Sequence, residues 1–159
     1  LEGGEEIKFI ARRLLILASE DIGNANPTAL VMAQSCFQAV HTIGMPEARI
    51  LLSQCAIYLA SSPKSNSSYQ AISKAQKLVS ETGDLAVPLP LRNAPTELMK
   101  DLDYGKDYAY AHNYDGNFID MEFMPEQLSG HKLYIPGDNP RENKMKSFLK
   151  SRWKDKYKS

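Results

Sequence analysis

Two cysteines and three histidines are the residues of this chain best suited to nucleophilic or metal chemistry. Cys36 and Cys55 each stand alone among apolar residues at helical spacing. That setting is typical of buried free thiols and argues against a disulfide or a metal pair. His112 and His131 have no partner at the spacings that metal sites use. The sequence therefore assigns them no metal.

Two further groupings could bind ions. Glu20 and Asp21 are adjacent carboxylates without a third ligand nearby, so helix capping is favoured over a metal site. The serine-rich stretch 61–69 could hold a phosphate beside Lys64, at the start of the helix that follows. It lacks the GxxxxGK[ST] pattern of nucleotide-binding loops, and capping is favoured here too. The sequence thus predicts no catalytic residue, cofactor or metal in this chain, and no binding or hydrolysis of ATP.

Charge is divided unevenly along the sequence. Residues 141–159 carry 8 basic and 2 acidic side chains, whereas residues 1–140 carry 11 and 17. A basic amphipathic helix can bind DNA, a membrane or an acidic partner. The DNA-contact candidates are Lys146, Lys150, Arg152 and Lys154.

Docking on the chain's own acidic segment is the alternative, and the favoured one, for this basic helix. Residues 97–126 carry eight acids and two lysines, and this balance should repel nucleic-acid phosphates. The apolar side chains that would dock are Met145, Phe148, Leu149 and Trp153.

The helical spacing of apolar residues, together with the capping residues, glycines and prolines at the helix ends, predicts four successive helices. Their expected bounds are Glu5 to about Glu20, Pro27 to Ile43, Pro46 to just before Pro63, and about Ser67 to Thr82. Asn26 is the expected N-cap of the second helix, and Gly44 its exit. The short link to Pro46 indicates an antiparallel helical hairpin.

The second and third helices are apolar on more of their circumference than one small bundle can cover. Excess apolar surface usually marks an interface. The interface candidates are Phe37, Val40, Leu51, Leu52 and Leu59.

The remaining chain is less regular. Prolines in residues 83–95 predict an extended strap across the bundle, and a short helix should follow at 96–102. Aromatic residues set among glycines and acids in residues 104–134 indicate irregular structure, and a last helix should begin at Asn139 and Pro140. The expected fold is an all-α, collar-like bundle with these additions. The expected domains are 1–95, the oligomerisation bundle with its strap, and 96–159, packed on it.

Four sequence blocks carry a resemblance to a known family: ASEDIGNANP, IGMPEARI, YLASSPKSNSSY and VPLPLRNAPTELMKDLDYGKDYAYAH. In the same order they resemble the C-terminal region of the replication-associated recombination protein A family, the MgsA-type AAA+ ATPases related to clamp loaders. The resemblance runs from about Leu1 to about Pro136. It implies a helical collar through which such ATPases assemble as homotetramers at stalled replication forks.

The resemblance also implies partners and cofactors. Those expected are a second copy of this chain, the N-terminal AAA+ domains of the parent chain and, through the parent, DNA and replication proteins. ATP and magnesium would belong to the parent's ATPase region, making the parent a DNA-dependent ATPase of which this chain is an excised piece. A DNA-binding or partner-docking module is the alternative function. No apolar run reaches the roughly 18 residues of a membrane span, so the expected location is the cytoplasm, at the nucleoid.

Overall fold

The computed structural model describes residues 1–157, and in that part of the chain helices are joined by short turns without a strand. The α-helices are α1 (Ile7–Leu17), α2 (Thr28–Ile43), α3 (Ala48–Ala60), α4 (Ser67–Thr82), α5 (Glu97–Asp101) and α6 (Pro140–Trp153). The all-α prediction is confirmed. Among the described residues, no helix combines the length and apolarity needed to cross a membrane.

The described residues form two compact units. Unit 1 comprises Leu1–Lys74 and Leu133–Ser147, and unit 2 comprises Ala75–Lys132 together with residues 148–157. The boundaries fall within α4 and α6, and the strap belongs to unit 2. The functional division at residue 95, and the packing of the second predicted domain on the first, stay predictions.

The core of unit 1 is built by α1, α2, α3 and the turn that follows α1. Small side chains dominate it, and the largest of the fully buried apolar residues are Ile22, Leu59 and Val40. Half-buried apolar residues of α1, α2 and α3 pack around this cluster. Because alanine and cysteine fill little space, the three helices can approach closely along their contacts.

The start of α1 follows the prediction, but its end does not. The Glu6 carboxylate caps the helix by accepting from Lys8 N at 3.0 Å and Phe9 N at 2.8 Å. Beyond Leu17 the chain widens into a π-helical turn, Ala18–Ile22. It ends at Gly23, where φ is 48° and a Cβ would lie 2.8 Å from the Ser65 carbonyl oxygen. Only glycine allows that approach.

The predicted hairpin of α2 and α3 is present, but the predicted N-cap of α2 is wrong. The Asn26 side chain does not cap α2. Its Nδ2 instead donates to Tyr58 Oη at 3.1 Å and to Ser62 Oγ at 3.0 Å. It therefore ties the start of α2 to the end of α3. The chain leaves α2 at Gly44 with φ of 75°.

Helix α4 has the predicted bounds but contributes no buried residue. The predicted bundle of four helices therefore has a core of three. An apolar stripe on α4 had suggested membership, but Tyr69, Ile72 and Val79 are all exposed.

Unit 2 is held by turns and aromatic contacts. The strap includes a 3-10 turn, Leu89–Leu91, whose Leu89 oxygen accepts from Gly105 N at 2.8 Å. The Arg92 guanidinium lies 4.8 Å from the centre of the Tyr104 ring. Thr96 caps α5 by accepting from Met99 N at 3.3 Å. The irregular aromatic segment predicted from the sequence is confirmed as turns and short 3-10 pieces.

The core assignment predicts unequal effects for a buried residue of α3 and an exposed residue of α4. Leu59→Ala should lower the free energy of unfolding by about 2–5 kcal/mol, because a buried leucine leaves a cavity. Ile72→Ala, at a side chain 56% exposed, should change it by about 0.5 kcal/mol or less. Urea unfolding followed by far-ultraviolet circular dichroism measures both. Equal effects would contradict the core described above.

Candidate functional site

The interface candidates lie deeper than expected. Val40, Leu52 and Leu59 are buried in the core of unit 1, while Phe37 and Leu51 are half-buried against it. Side chains covered by their own chain present no surface to a second one. Helical periodicity identified apolar positions, but the inner and outer faces of these helices are both apolar.

Other apolar residues of the same helices are exposed. They are Leu30, Val31 and Ile43 of α2, and Ile50 and Ile57 of α3. Along the outer side of α3 lies an open concavity of about 430 Å³, lined by Arg49, Ile50, Ser53, Gln54 and Ile57. The predicted excess of apolar surface on this hairpin is therefore real, although other residues carry it.

The thiols lie inside the hairpin and are unsuited to nucleophilic chemistry. Both cysteines are free and buried, as expected. Burial raises the pKa of Cys36, and burial with the neighbouring Cys36 thiol raises the pKa of Cys55 to about 12. Cys36 Sγ also contacts the Leu51 carbonyl oxygen at 3.5 Å. Neither thiol forms a thiolate readily near neutral pH.

The other ion-binding candidates are not brought together. Glu20 and Asp21 lie in the π-helical turn, where the Asp21 carbonyl oxygen accepts from Ser65 N at 2.8 Å. The His112 ring packs against Tyr110, with centroids 5.1 Å apart. No group of three metal-binding side chains occurs in the described chain.

The serine-rich loop supplies hydrogen bonds at the start of α4. Ser65 Oγ accepts from Ser67 N at 3.3 Å, and Asn66 Oδ1 accepts from Gln70 Nε2 at 3.0 Å. Near this loop, Asn24 Nδ2 donates to Ser68 Oγ at 3.0 Å. The capping interpretation is confirmed.

Glu142 is the residue that sequence reasoning missed. It lies in the first turn of α6 with no exposed surface. Its Oε1 accepts from Tyr134 Oη at 2.7 Å, and its Oε2 accepts from Asn139 Nδ2 at 2.6 Å. Its backbone N–H donates to Asn139 Oδ1 at 3.0 Å. The Asn139 and Glu142 spacing is that of a capping box, and this signal could have found the pair.

The Ser65 hydroxyl and the Gly137 backbone N–H also help to lower the pKa of this carboxylate. A Cβ on Gly137 would lie 2.9 Å from Glu142 Oε2 and 3.0 Å from Ser65 Oγ. The carboxylate thus lies close to Ser65 of the serine-rich loop. Its charge also lies at the positive end of α6.

The pKa values in this cluster follow from the geometry. Burial raises the pKa of Glu142, but the bonds from Ser65, Tyr134, Asn139 and Gly137 outweigh burial, and the net pKa is lowered. Burial and the bond to Glu142 raise the pKa of Tyr134 to about 12. Glu142 is therefore an anion, and Tyr134 a neutral donor, over the physiological range.

The DNA-contact candidates divide into two groups. Lys146, Lys150 and Lys154 are exposed and spaced four residues apart. Arg152 is half-buried. Its guanidinium lies 5.5 Å from the Phe118 ring centre and 5.4 Å from the Phe148 ring centre. The three lysines are thus exposed, and Arg152 is partly used within unit 2.

Of the residues predicted to dock the C-terminal helix on the acidic segment, Trp153 does so within unit 2. Trp153 packs edge-on against Phe118 and Phe123, with ring centroids 4.8 Å and 6.0 Å apart. Phe148 is 59% exposed. Docking in this unit therefore relies on the last turn of α6.

Comparison with known proteins identifies the family to which this chain belongs. The family model described as MgsA AAA+ ATPase C terminal matches residues 1–153. The chain belongs to this family. The predicted resemblance is confirmed, and it extends beyond Pro136 through α6.

Three relatives show what share of the length of MgsA family proteins this chain covers. Replication-associated recombination protein A of Coxiella burnetii is 45% identical over 150 residues, covering 94% of this chain and 34% of that protein. The protein of the same name in Escherichia coli K12 is 38% identical over 144 residues, covering 90% and 32%. ATPase WRNIP1 of Dictyostelium discoideum is 42% identical over 135 residues, covering 84% and 15%. The chain thus spans about a third of its bacterial relatives.

The buried carboxylate of this MgsA C-terminal domain predicts a large mutational effect. Glu142→Ala should lower the free energy of unfolding by about 2–4 kcal/mol, since Tyr134, Ser65 and Asn139 would lose a buried acceptor. Glu47→Ala, at an exposed glutamate of the same unit, is the matched control and should cost about 0.5 kcal/mol or less. Urea titration measures both.

The lowered pKa of Glu142 adds a pH dependence to this prediction. A depressed pKa contributes stability above the unfolded-state pKa, and that stability is lost as the pH falls through the folded-state value. Glu122 also has a lowered pKa, so the comparison must be with Glu142→Gln. Acidification should destabilise the wild type more than this variant. Parallel curves for the two proteins would show that Glu142 is not held as an anion.

Proposed function

We propose that this chain is the self-association domain of an AAA+ ATPase that acts in replication-associated recombination, and that it assembles as a tetramer. The apolar surface exposed on α2 and α3 is the observation that carries the proposal. Contiguous apolar surface on a soluble domain usually marks an interaction site. Family resemblance supplies the number four, and closed symmetry then follows.

The outer side of α3 is the surface best suited to a second copy. Ile50 and Ile57 are 56% and 67% exposed and lie two turns apart on one side of the helix. Arg49, Ser53 and Gln54 line the same concavity. An apolar centre with polar neighbours is the usual composition of protein interfaces. Phe37 and Leu51 remain interface candidates, while Ile50 and Ile57 replace the three buried ones.

The parent protein is proposed to be a DNA-dependent ATPase. ATP and magnesium would bind in its ATPase region, and the partners of this chain would be its own copies and the AAA+ domains of the parent. DNA and replication proteins would be reached through the parent, in the cytoplasm at the nucleoid. The relatives' names, which include recombination protein A and an ATPase, support this assignment.

Self-association should depend on the outer side of α3. At about 100 micromolar, well above a micromolar Kd, light scattering after gel filtration should report a tetramer, or dimers that feed one. Ile50→Asp and Ile57→Asp should each shift the mass toward the monomer, because a buried, unpaired carboxylate opposes association.

Ile72→Asp is the matched control for these variants. It makes the same change at a residue of α4 that is also 56% exposed, and it should leave the mass unchanged. Dissociation by Ile72→Asp alone would move the interface away from α3. A wild-type chain that stays monomeric would overturn the proposal of self-association.

DNA binding by α6 is the second candidate function. Lys146 and Lys150 lie one turn apart on α6, Lys154 follows its end, and all three are exposed without an ion pair among the described residues. Such lysines neutralise phosphates without reading sequence. Binding of this kind weakens steeply as salt rises, because counterions are released.

This candidate predicts a measurable salt dependence. Replacing Lys146, Lys150 and Lys154 by alanine should weaken duplex and forked DNA binding, and should lower the slope of log K against log salt by about three. The control replaces Lys8, Lys64 and Lys74, which are equally charged and exposed. Fluorescence anisotropy at two salt concentrations measures the difference. If both triple variants bind alike, α6 is not the DNA contact.

A further inference from the structure

The ammonium group of Lys156 lies among three aromatic rings of unit 2. Its Nζ is 4.7 Å from the Trp153 ring centre, 5.5 Å from that of Tyr157 and 5.9 Å from that of Phe123. All three distances lie within the range of cation–π attraction. Only 17% of the Lys156 side chain is exposed, so the attraction acts where water screens it weakly.

Two oxygen acceptors complete the surroundings of this ammonium. Lys156 Nζ donates a hydrogen bond to the Met121 carbonyl oxygen, and Glu122 Oε2 lies 3.8 Å away. A lysine ammonium has three donors, and here it meets oxygen as well as ring faces. The group is therefore surrounded by partners that favour a positive charge.

Glu122 is held in place independently of Lys156. Its Oε1 accepts from the backbone N–H groups of Phe123 and Met124, each at 2.9 Å. Its Oε2 accepts from Ser129 Oγ at 2.7 Å. The Met124 backbone bond is the first cause of the lowered pKa of Glu122. The anionic side of the cluster would thus persist if Lys156 were absent.

The end of α6 explains how the chain supplies its own cation. After Trp153 the backbone turns at Lys154, where φ is 47°. Lys156 N then donates to the Trp153 carbonyl oxygen at 2.9 Å. This turn places Tyr157 beside Trp153, with ring centroids 5.4 Å apart. Two rings come from the helix end, and the third comes from the irregular segment.

We propose that Met121, Glu122, Phe123, Trp153 and Tyr157 form a binding site for an alkylammonium ion, and that Lys156 is its resident ligand. The charge of Lys156, more than the bulk of its stem, fastens residues 121–123 to the end of α6. Because the ligand belongs to the same chain, its effective concentration is about millimolar or higher. A free lysine in solution does not displace it.

This proposal is independent of self-association and of DNA binding. An aromatic cage with a carboxylate at its rim suits quaternary and methylated ammonium groups as well as lysine. The site is therefore available to another ammonium ion once the Lys156 side chain is removed.

Trp153 is the only tryptophan of the chain, so its fluorescence reports directly on this site. Lys156→Met keeps most of the stem and removes the charge. It should shift the emission to longer wavelength and increase quenching by acrylamide. Lys132→Met removes the same charge from an exposed side chain of unit 2 and should leave both readings unchanged. Equal behaviour of the two variants would overturn the proposal.

A vacant site should also accept an external ion. In Lys156→Ala, tetramethylammonium chloride should reverse the change in Trp153 emission saturably. The neutral isostere tert-butanol should bind about tenfold more weakly, since it lacks the cation–π attraction, and sodium chloride at equal ionic strength controls for salt. Equal recovery with tert-butanol would mean an apolar cavity only, and the absence of recovery would mean no site.

The thermal midpoint of Lys156→Met supplies a second measurement if the alanine variant does not fold. This midpoint should lie below that of Lys132→Met, because Lys156→Met removes the charge that the rings and Glu122 attract. Equal midpoints for the two methionine variants would overturn the proposed role of the Lys156 charge.

Discussion

The close contact of three helices through small side chains is the constraint on which unit 1 depends. Five alanines and two cysteines belong to its eleven-residue core. Ala29 and Ala33 of α2 and Ala48 of α3 have no exposed surface, so the helices meet with little side-chain volume between them. A core of small residues leaves the larger apolar side chains of the same helices outside. Ile50 and Ile57 of α3 are among these exposed side chains.

Local signals in the sequence predicted much of this fold. The bounds of α4, the short helix near residues 96–102 and the start of α6 at Pro140 each depend on residues within a few positions of one another. The π-helical turn after Leu17 could not be predicted in this way, because its end depends on Gly23 approaching the Ser65 backbone. Asn26 was misjudged for the same reason: its partners are more than thirty residues away.

The candidate sites show a similar division. Periodicity identifies the apolar helices, but it does not show which of two apolar faces is buried in the core. Val40, Leu52 and Leu59 were therefore predicted as interface residues, although they are buried. Glu142 looked like one of 19 acidic residues, and its importance depends on Tyr134, Ser65 and Gly137 meeting around it. A buried carboxylate costs less when several donors surround it. The capping-box spacing with Asn139 was the local hint, and the long-range donors were not visible in the sequence.

The basic charge of the C-terminal helix and the acidic charge of residues 97–126 were one reason to expect docking. In unit 2, however, the described ion pairs do not follow that expectation. The two lysines of the acidic segment pair with their own neighbours, Lys100 with Glu97 and Lys106 with Asp103. Those exposed pairs contribute little to stability. Arg152 and Lys156 instead lie against aromatic rings, where a partly dehydrated cation gains more. The cations that meet unit 2 are therefore Arg152 and Lys156, whereas the exposed Lys150 and Lys154 form no ion pair among the described residues.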